Sequence, residues 1–290
     1  MLVGAHISSS GGLVATHERA AERGCEAMQI WGQSPRMWKA TVPKENDVRQ
    51  FCECMEDGPI KAVVIHAVYL INCASKDGEI RRKSLASLTH TLRLGDLIGA
   101  SGVILHPGSA KGEPVEEALP RVAELLREAL DESGSCPLLL ENTAGAGDTL
   151  GRSFEELSEL IRHCRGRQRL GICLDSCHML ASGFDIRTAD KLAAAVDRCE
   201  ELVGSGRVRC LHVNDSRTGL GSNRDRHAPP GEGELGARGC AAFLSEPRFE
   251  GLPGVFEGPG IAGKGAEKED VDRLKDLRRS GRAARRRRRR

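Results

Sequence analysis

The feature that most constrains this chain is a short apolar run ending in Gly, Pro, Asn, Asp or Ser, which recurs eight times along its length. The runs are LVGAHIS (2–8), AMQIWG (27–32), AVVIHAVY (62–69), GVILHPG (102–108), PLLLENT (137–143), LGICLDS (170–176), VRCLHVND (208–215) and GVFEGPG (254–260). Most are continuously apolar, as strands buried on both faces of a parallel sheet are. Helical patterns separate them, among them EEALPRVAELLREAL (116–130) and SFEELSELIRHC (153–164), the second opening with the capping-box pair Ser153 and Glu156. Eight strands alternating with helices specify an α/β fold, a (β/α)8 TIM barrel. A doubly wound open sheet is the alternative, but SSSGG after the first run lacks the G-x-G-x-x-G spacing of a dinucleotide loop. We expect one barrel domain over residues 1–277 and a disordered Arg-rich tail over 278–290.

Hydrophobic residues make up 39% of the chain and aromatic residues only 3%, so the core must be built from Leu, Val, Ile and Ala. There is no apolar run of about 18 residues and no charged leader before an apolar stretch in MLVGAHISSSGG. The expected location is therefore a bacterial-type cytoplasm or nucleoid, with no membrane partner. The eleven cysteines are scattered and form no CxxC pair, and Cys173 and Cys210 sit inside apolar runs, where a free thiol behaves as a small hydrophobe. The net charge of +2 hides an asymmetry: nine arginines lie in the last thirteen residues, leaving 34 basic against 41 acidic residues elsewhere. An acidic body with a basic end is compatible with nucleic-acid contact or with a merely solvated extension.

In such a barrel the chemistry stands at the C-terminal ends of the strands. His66 ends the third run, His106 the fourth, Glu141 the fifth, Asp175 the sixth, His212 the seventh and Glu257 the eighth, at separations of 40, 35, 34, 37 and 45 residues. His178 and the pair Asp225 and His227, in NRDRHAPPGEG, lie in the loops just beyond. One such residue is usually a satisfied hydrogen-bonding group. Six on successive strands would repel one another and bear a desolvation cost unless a metal or substrate neutralised them. Five imidazoles and four carboxylates are the ligand set of zinc or, less selectively, of manganese or iron, and they suffice for two or three ions. Within LDSCHMLASGFD (174–185), Cys177 has no base-and-orienter arrangement left free, so a bystander role is expected for it. His6 is expected beside the metal ligands or facing phosphate, while His17, His90 and His163 fall in helical patterns.

The motifs LHPGS (105–109), LENTAGAG (140–147), LDSCHMLASGFD, HVNDS (212–216) and DRHAPPGEG (225–233) together resemble the endonuclease IV family of apurinic/apyrimidinic (AP) endonucleases. The resemblance runs from VGAHISSSGGL at residue 3 to GVFEGPGIAGKG ending at residue 265. It implies three Zn2+ ions, with Mn2+ as a substitute: one held by His66, His106 and Glu141, a second by Glu141, Asp175, His212 and Glu257, and a third by His178, Asp225 and His227. Glu141 would be the bridging ligand, the nucleophile being a metal-bound hydroxide. The implied activity is hydrolysis of the phosphodiester 5′ to an abasic site in damaged double-stranded DNA, leaving a 3′-hydroxyl, with cleaning of blocked 3′ ends. A monomer is expected. QSPRMWKA (33–40) and HAVYLIN (66–72) match the loops that open the duplex, which makes Arg36, Tyr69 and Leu70 the implied DNA-binding residues. Two positions depart from the family pattern: Ala67 stands where an acidic residue is common, and Gly258 where threonine is usual. A sugar isomerase or epimerase on the same barrel, and a non-catalytic binder of damaged DNA, are the rival functions.

Overall fold

Each of the eight apolar runs folds as a strand: β1 (Leu2–His6), β2 (Ala27–Trp31), β3 (Ala62–His66), β4 (Gly102–Leu105), β5 (Leu138–Glu141), β6 (Leu170–Asp175), β7 (Val208–His212) and, after a two-residue pair β8 (Asp215–Ser216) and β9 (His227–Ala228), β10 (Pro253–Phe256). The computed structural model describes residues 1–288. The eight long strands are all parallel and close into a barrel in the order β1-β10-β7-β6-β5-β4-β3-β2. Helices α1 (Leu13–Glu22), α2 (Glu45–Asp57), α3 (Gly78–Ile98), α4 (Val115–Asp131), α5 (Phe154–His163), α6 (Ser176–Ala181), α7 (Ala189–Val203), α8 (Gly236–Leu244) and α9 (Lys268–Arg288) connect and surround them. None of these helices is long and apolar enough to cross a membrane.

The barrel is filled by Val64, Ile104, Leu139, Cys173, Cys210 and Val255, a fully buried cluster of short side chains drawn from six strands. With so few aromatics the interior closes on branched aliphatics and thiols. All eleven cysteines are free, and nine are buried. Local signals set the helix starts. Asp77 accepts from the amides of Glu79 (2.8 Å) and Ile80 (3.1 Å) at the start of α3. Ser153 accepts from the amide of Glu156 (3.2 Å), and the Glu156 carboxylate reaches back to the Gly151 amide at 2.7 Å. Such caps are each worth ~1 kcal/mol. The parallel register aligns Trp31 with His66, Glu141 with Cys173 and Asp175 with His212, which brings chemically distinct strand ends to one level.

The structure corrects the expectation of a disordered tail from residue 278. Residues 278–288 continue α9, and positions 289–290 lie outside the described residues. The reason is that arginines repeated along one chain meet acids elsewhere: Arg282 pairs with Glu250 at 3.0 Å, Arg285 with Glu246 at 2.8 Å and Arg288 with Asp190 at 2.9 Å. Gly281 lets α9 seat on α8, since a Cβ there would come 2.1 Å from the Ala241 carbonyl oxygen and 2.5 Å from Ser245 Oγ. Alanine at 281 gains ~1 kcal/mol of helix propensity, but overpacking of that contact costs about 1–3 kcal/mol. Gly281→Ala is therefore expected to lower the Tm in thermal unfolding; a raised Tm would show that the two helices are not in contact there.

Candidate metal centre

The ring of candidate ligands follows from where the strands stop. His66, Glu141, Asp175 and His212 are the last residues of β3, β5, β6 and β7, and His106 and Glu257 immediately follow β4 and β10. α6 starts directly after Asp175, whose Oδ1 accepts from the His178 amide at 2.7 Å, so one carboxylate both caps the helix and fixes the histidine one turn on. The β8–β9 pair brings Asp225 and His227 back over the barrel. Buried Asp215 fastens that excursion by accepting from the amides of Gly233 (2.9 Å) and Leu235 (2.9 Å).

The nine residues fall into three groups whose potential ligand atoms lie within 4.8 Å of one another: His66, His106 and Glu141; Glu141, Asp175, His212 and Glu257; and His178, Asp225 and His227. Glu141 has no solvent exposure and belongs to two of the groups. Its Oε2 faces Nε2 of His66 at 3.3 Å and of His106 at 2.9 Å, and its Oε1 faces His212 Nδ1 at 3.0 Å. Asp225 lies 3.1 Å from Nε2 of both His178 and His227.

These contacts are not ordinary hydrogen bonds. His66 Nδ1 donates to the Ala67 carbonyl (2.7 Å), His178 Nδ1 to the Asn142 carbonyl (2.9 Å) and His212 Nε2 to Gln29 Oε1 (2.8 Å). With this network a neutral ring would present a bare lone pair to the carboxylates. Glu141 Oε2, His178 Nε2 and His227 Nε2 are buried without any hydrogen-bond partner. Acceptor faces acceptor at about 3 Å unless positive charge stands between them.

The electrostatics carry the same demand. Burial opposes charge on His178, yet Asp175, Asp225 and Glu141 lift its pKa well above the ordinary imidazole range; Glu257 and Glu141 do the same for His212. Burial likewise disfavours ionised Glu141, but His212 and His106 hold its carboxyl well below the usual range. Asp175 is the exception, its pKa raised by burial. The carboxylates of the cluster call for positive charge, which protonated imidazoles or bound cations supply, and five imidazoles with four carboxylates fit divalent metal ions. Cys177 offers little as a nucleophile: it is buried, and its thiol is pushed up to about 12 by burial and by Asp175. By distance alone Asp175, Cys177 and His227 form a further group.

Three supporting residues went unassigned in the sequence. The Gln29 amide, fully buried on β2, accepts from His212 and donates to Glu257 and to His6 Nδ1 (3.1 Å). Asn142 takes the Asp175 amide on its Oδ1 at 2.7 Å. Asn214 donates to Asp175 Oδ2 at 2.6 Å and accepts the Glu257 amide at 3.0 Å. Polar residues inside otherwise apolar runs were the available signal. His6 contacts Gln29 rather than the metal groups, and burial pulls its pKa down to about 4. At the departure Ala67, His66 takes its partner from the main chain, the carbonyl of residue 67. Gly258 suits its neighbour, since a Cβ there would lie 2.5 Å from the Phe256 ring. His17 on α1, His90 on α3 and His163 on α5 lie outside the cluster. Arg36 is exposed in the loop between β2 and α2; Tyr69 is 67% exposed with its ring edge-on to Trp31, and Leu70 is half-buried against the core.

The fold and this site define a metal-dependent enzyme of the α/β-barrel class. The family model described as a xylose isomerase-like TIM barrel matches residues 17–277. The chain is 40% identical over 284 residues to "Probable endonuclease 4" of Solibacter usitatus, covering 96% of this chain and 97% of the relative. It is 34% identical over 276 residues to "Probable endonuclease 4" of Halothermothrix orenii, covering 95% and 99%. The crystal structure of endonuclease IV from Thermus thermophilus superposes with a TM-score of 0.83 at 35% identity, covering 96% of this chain and 98% of that one. A D-tagatose 3-epimerase-like protein, 19% identical with a TM-score of 0.71, shares the fold alone. The chain belongs to the endonuclease IV family of AP endonucleases, hydrolases of DNA repair.

Losing an outer hydrogen bond to a metal ligand typically weakens metal affinity by about 10–100-fold. Gln29→Leu should do so here, read by chelator competition on protein whose circular dichroism is unchanged. Affinity equal to wild type would mean that packing alone orients His212.

Proposed function

We propose that this protein hydrolyses the phosphodiester immediately 5′ to an abasic site in duplex DNA, leaves a 3′-hydroxyl, and clears blocked 3′ ends, acting as a monomer with three zinc ions or with Mn2+ in their place. The observation that carries the reading is Glu141, a carboxylate without exposure shared by two potential metal groups on a chain of this family. His66, His106 and Glu141 would hold one ion; Glu141, Asp175, His212 and Glu257 a second; and His178, Asp225 and His227 a third. Bound there, zinc supplies a strong nucleophile at neutral pH and neutralises the charge of the phosphate. Glu141 fixes the spacing of the first two groups, and Gln29, Asn142 and Asn214 hold their ligands in orientation. Asp225 and His106 are the most exposed of the nine, at 45% and 32%, so the phosphate approaches from their side.

The rim supports a duplex-opening role. Of six exposed large hydrophobic residues, Met37, Val42, Tyr69, Leu220 and Ile261 lie on loops that follow strands β2, β3, β8 and β10, around the mouth of the cluster. Tyr69 and Arg36, with Leu70 behind them, would wedge or stack in the opened step. Unstacking costs a few kcal/mol and least where a base is already missing, which favours abasic sites.

A duplex carrying one tetrahydrofuran abasic analogue, which cannot undergo β-elimination, tests the reading. Incision on the 5′ side should vanish with chelator and return with zinc. Binding without a nick in zinc would point to a damage binder, and the absence of both binding and nicking would overturn the proposal. His227→Ala should reduce incision by a factor on the order of 10² or more, as loss of one element of transition-state charge stabilisation does; a sugar-acting enzyme would not need that residue. Tyr69→Ala should weaken binding of the abasic duplex about tenfold while leaving metal content unchanged, since one stacked base is worth about 1–3 kcal/mol.

A further inference from the structure

The arginine-rich end plays no part in the metal centre, yet the structure sorts its arginines into two sets. Arg278 and Arg282 share Glu250, Arg285 reaches Glu246 and Arg288 reaches Asp190, so these four fasten α9 to the barrel. Arg286 and Arg287 are exposed and have no ion-pair partner among the described residues. Among the described residues Arg279 pairs only with Asp276, one turn back on its own helix.

Arg279, Arg282, Arg286 and Arg287, with Ala283, line one open depression of about 420 Å³. Arg279, Arg282 and Arg286 follow the i, i+3, i+7 spacing of a single helix face, where like charges repel. Among the described residues two carboxylates stand beside the stripe: Asp276 at Arg279, and Glu250, which is already shared by Arg278, Arg282 and the N-terminal amine. A row of guanidiniums that the protein neutralises only in part, with Arg286 and Arg287 free of ion pairs among the described residues, suits a row of phosphates, which the planar fork binds bidentately. Arg282 and Arg286 also flank Pro247 and Glu250, in the connection from α8 into β10. That connection enters the barrel at the N-terminal ends of the strands, whereas Glu257 and the metal cluster stand at the C-terminal ends.

We infer that the exposed arginine stripe of α9 is a second DNA-contacting surface, taking the phosphate backbone of an undamaged duplex segment while the metal centre engages another. This rests on the reading of the protein as a DNA-acting enzyme. An acidic protein is the competing occupant. It is disfavoured because Ala283 is the sole apolar residue lining the depression, and because the substrate class of the family is itself a polyanion.

The test is a sandwich capture. Protein at saturating coverage on a bead-bound duplex with the abasic analogue is offered a fluorescent undamaged duplex, with and without polyglutamate. Wild type should capture the second duplex. Arg279→Ala/Arg286→Ala/Arg287→Ala should lose most of that capture while keeping the wild-type Tm and wild-type incision of the first duplex, and the three Arg→Lys changes should retain capture. The log–log salt slope for undamaged DNA should fall by roughly 2–3 in the alanine variant. Equal capture by wild type and the alanine variant overturns the inference, as does no capture by wild type or capture abolished by polyglutamate but insensitive to free duplex. Failure of wild type to incise the abasic duplex would instead count against the proposed activity, because the slope comparison on undamaged DNA needs no catalysis.

Discussion

A carboxylate sealed from water in the middle of a protein requires positive charge close by, and Glu141 imposes that requirement on the whole mouth of this barrel. Its two oxygens face imidazoles from three different strands, and Oε2, between His66 and His106, has no hydrogen-bond partner among the described residues. The strand ends converge at a single level because the sheet closes. In an open sheet the six groups would form a line, and the electrostatic demand for a shared cation would disappear.

The ligands are held from behind. Gln29 engages His212, Glu257 and His6 with a single amide, and Asn142 and Asn214 clamp Asp175 from two sides. Asp175 also caps α6, so the position of His178 depends on the same carboxylate. Glu141, Asp175 and His212 on the strands are fully buried, whereas Asp225, which arrives on an excursion fastened by Asp215, is more open.

Charge complementarity also governs the C-terminal helix, but across long stretches of chain. Its anchoring arginines find Glu246, Glu250 and Asp190, residues that are remote in sequence and brought alongside by α8 and by the start of α7. The helix therefore has arginines paired with the body and others, Arg286 and Arg287, free of ion pairs among the described residues. Composition alone could not separate these two roles.

The eight strands, their order of appearance and the six His, Asp and Glu side chains at their ends were legible in the sequence, because apolar runs with a polar terminal residue are local patterns. The starts of α3 and α5 were fixed in the same local way, by Asp77 and Ser153. Tertiary structure decided what local pattern cannot encode. It set which nitrogen of His66, His178 and His212 faces the cluster, since that depends on Gln29 and on the carbonyls of Ala67 and Asn142. It gave His66 a main-chain partner at Ala67. It turned an arginine run that reads as disordered into helix, because the acids that neutralise it lie elsewhere in the chain. Periodicity and caps are properties of neighbours in sequence, whereas proton placement and charge compensation belong to neighbours in space.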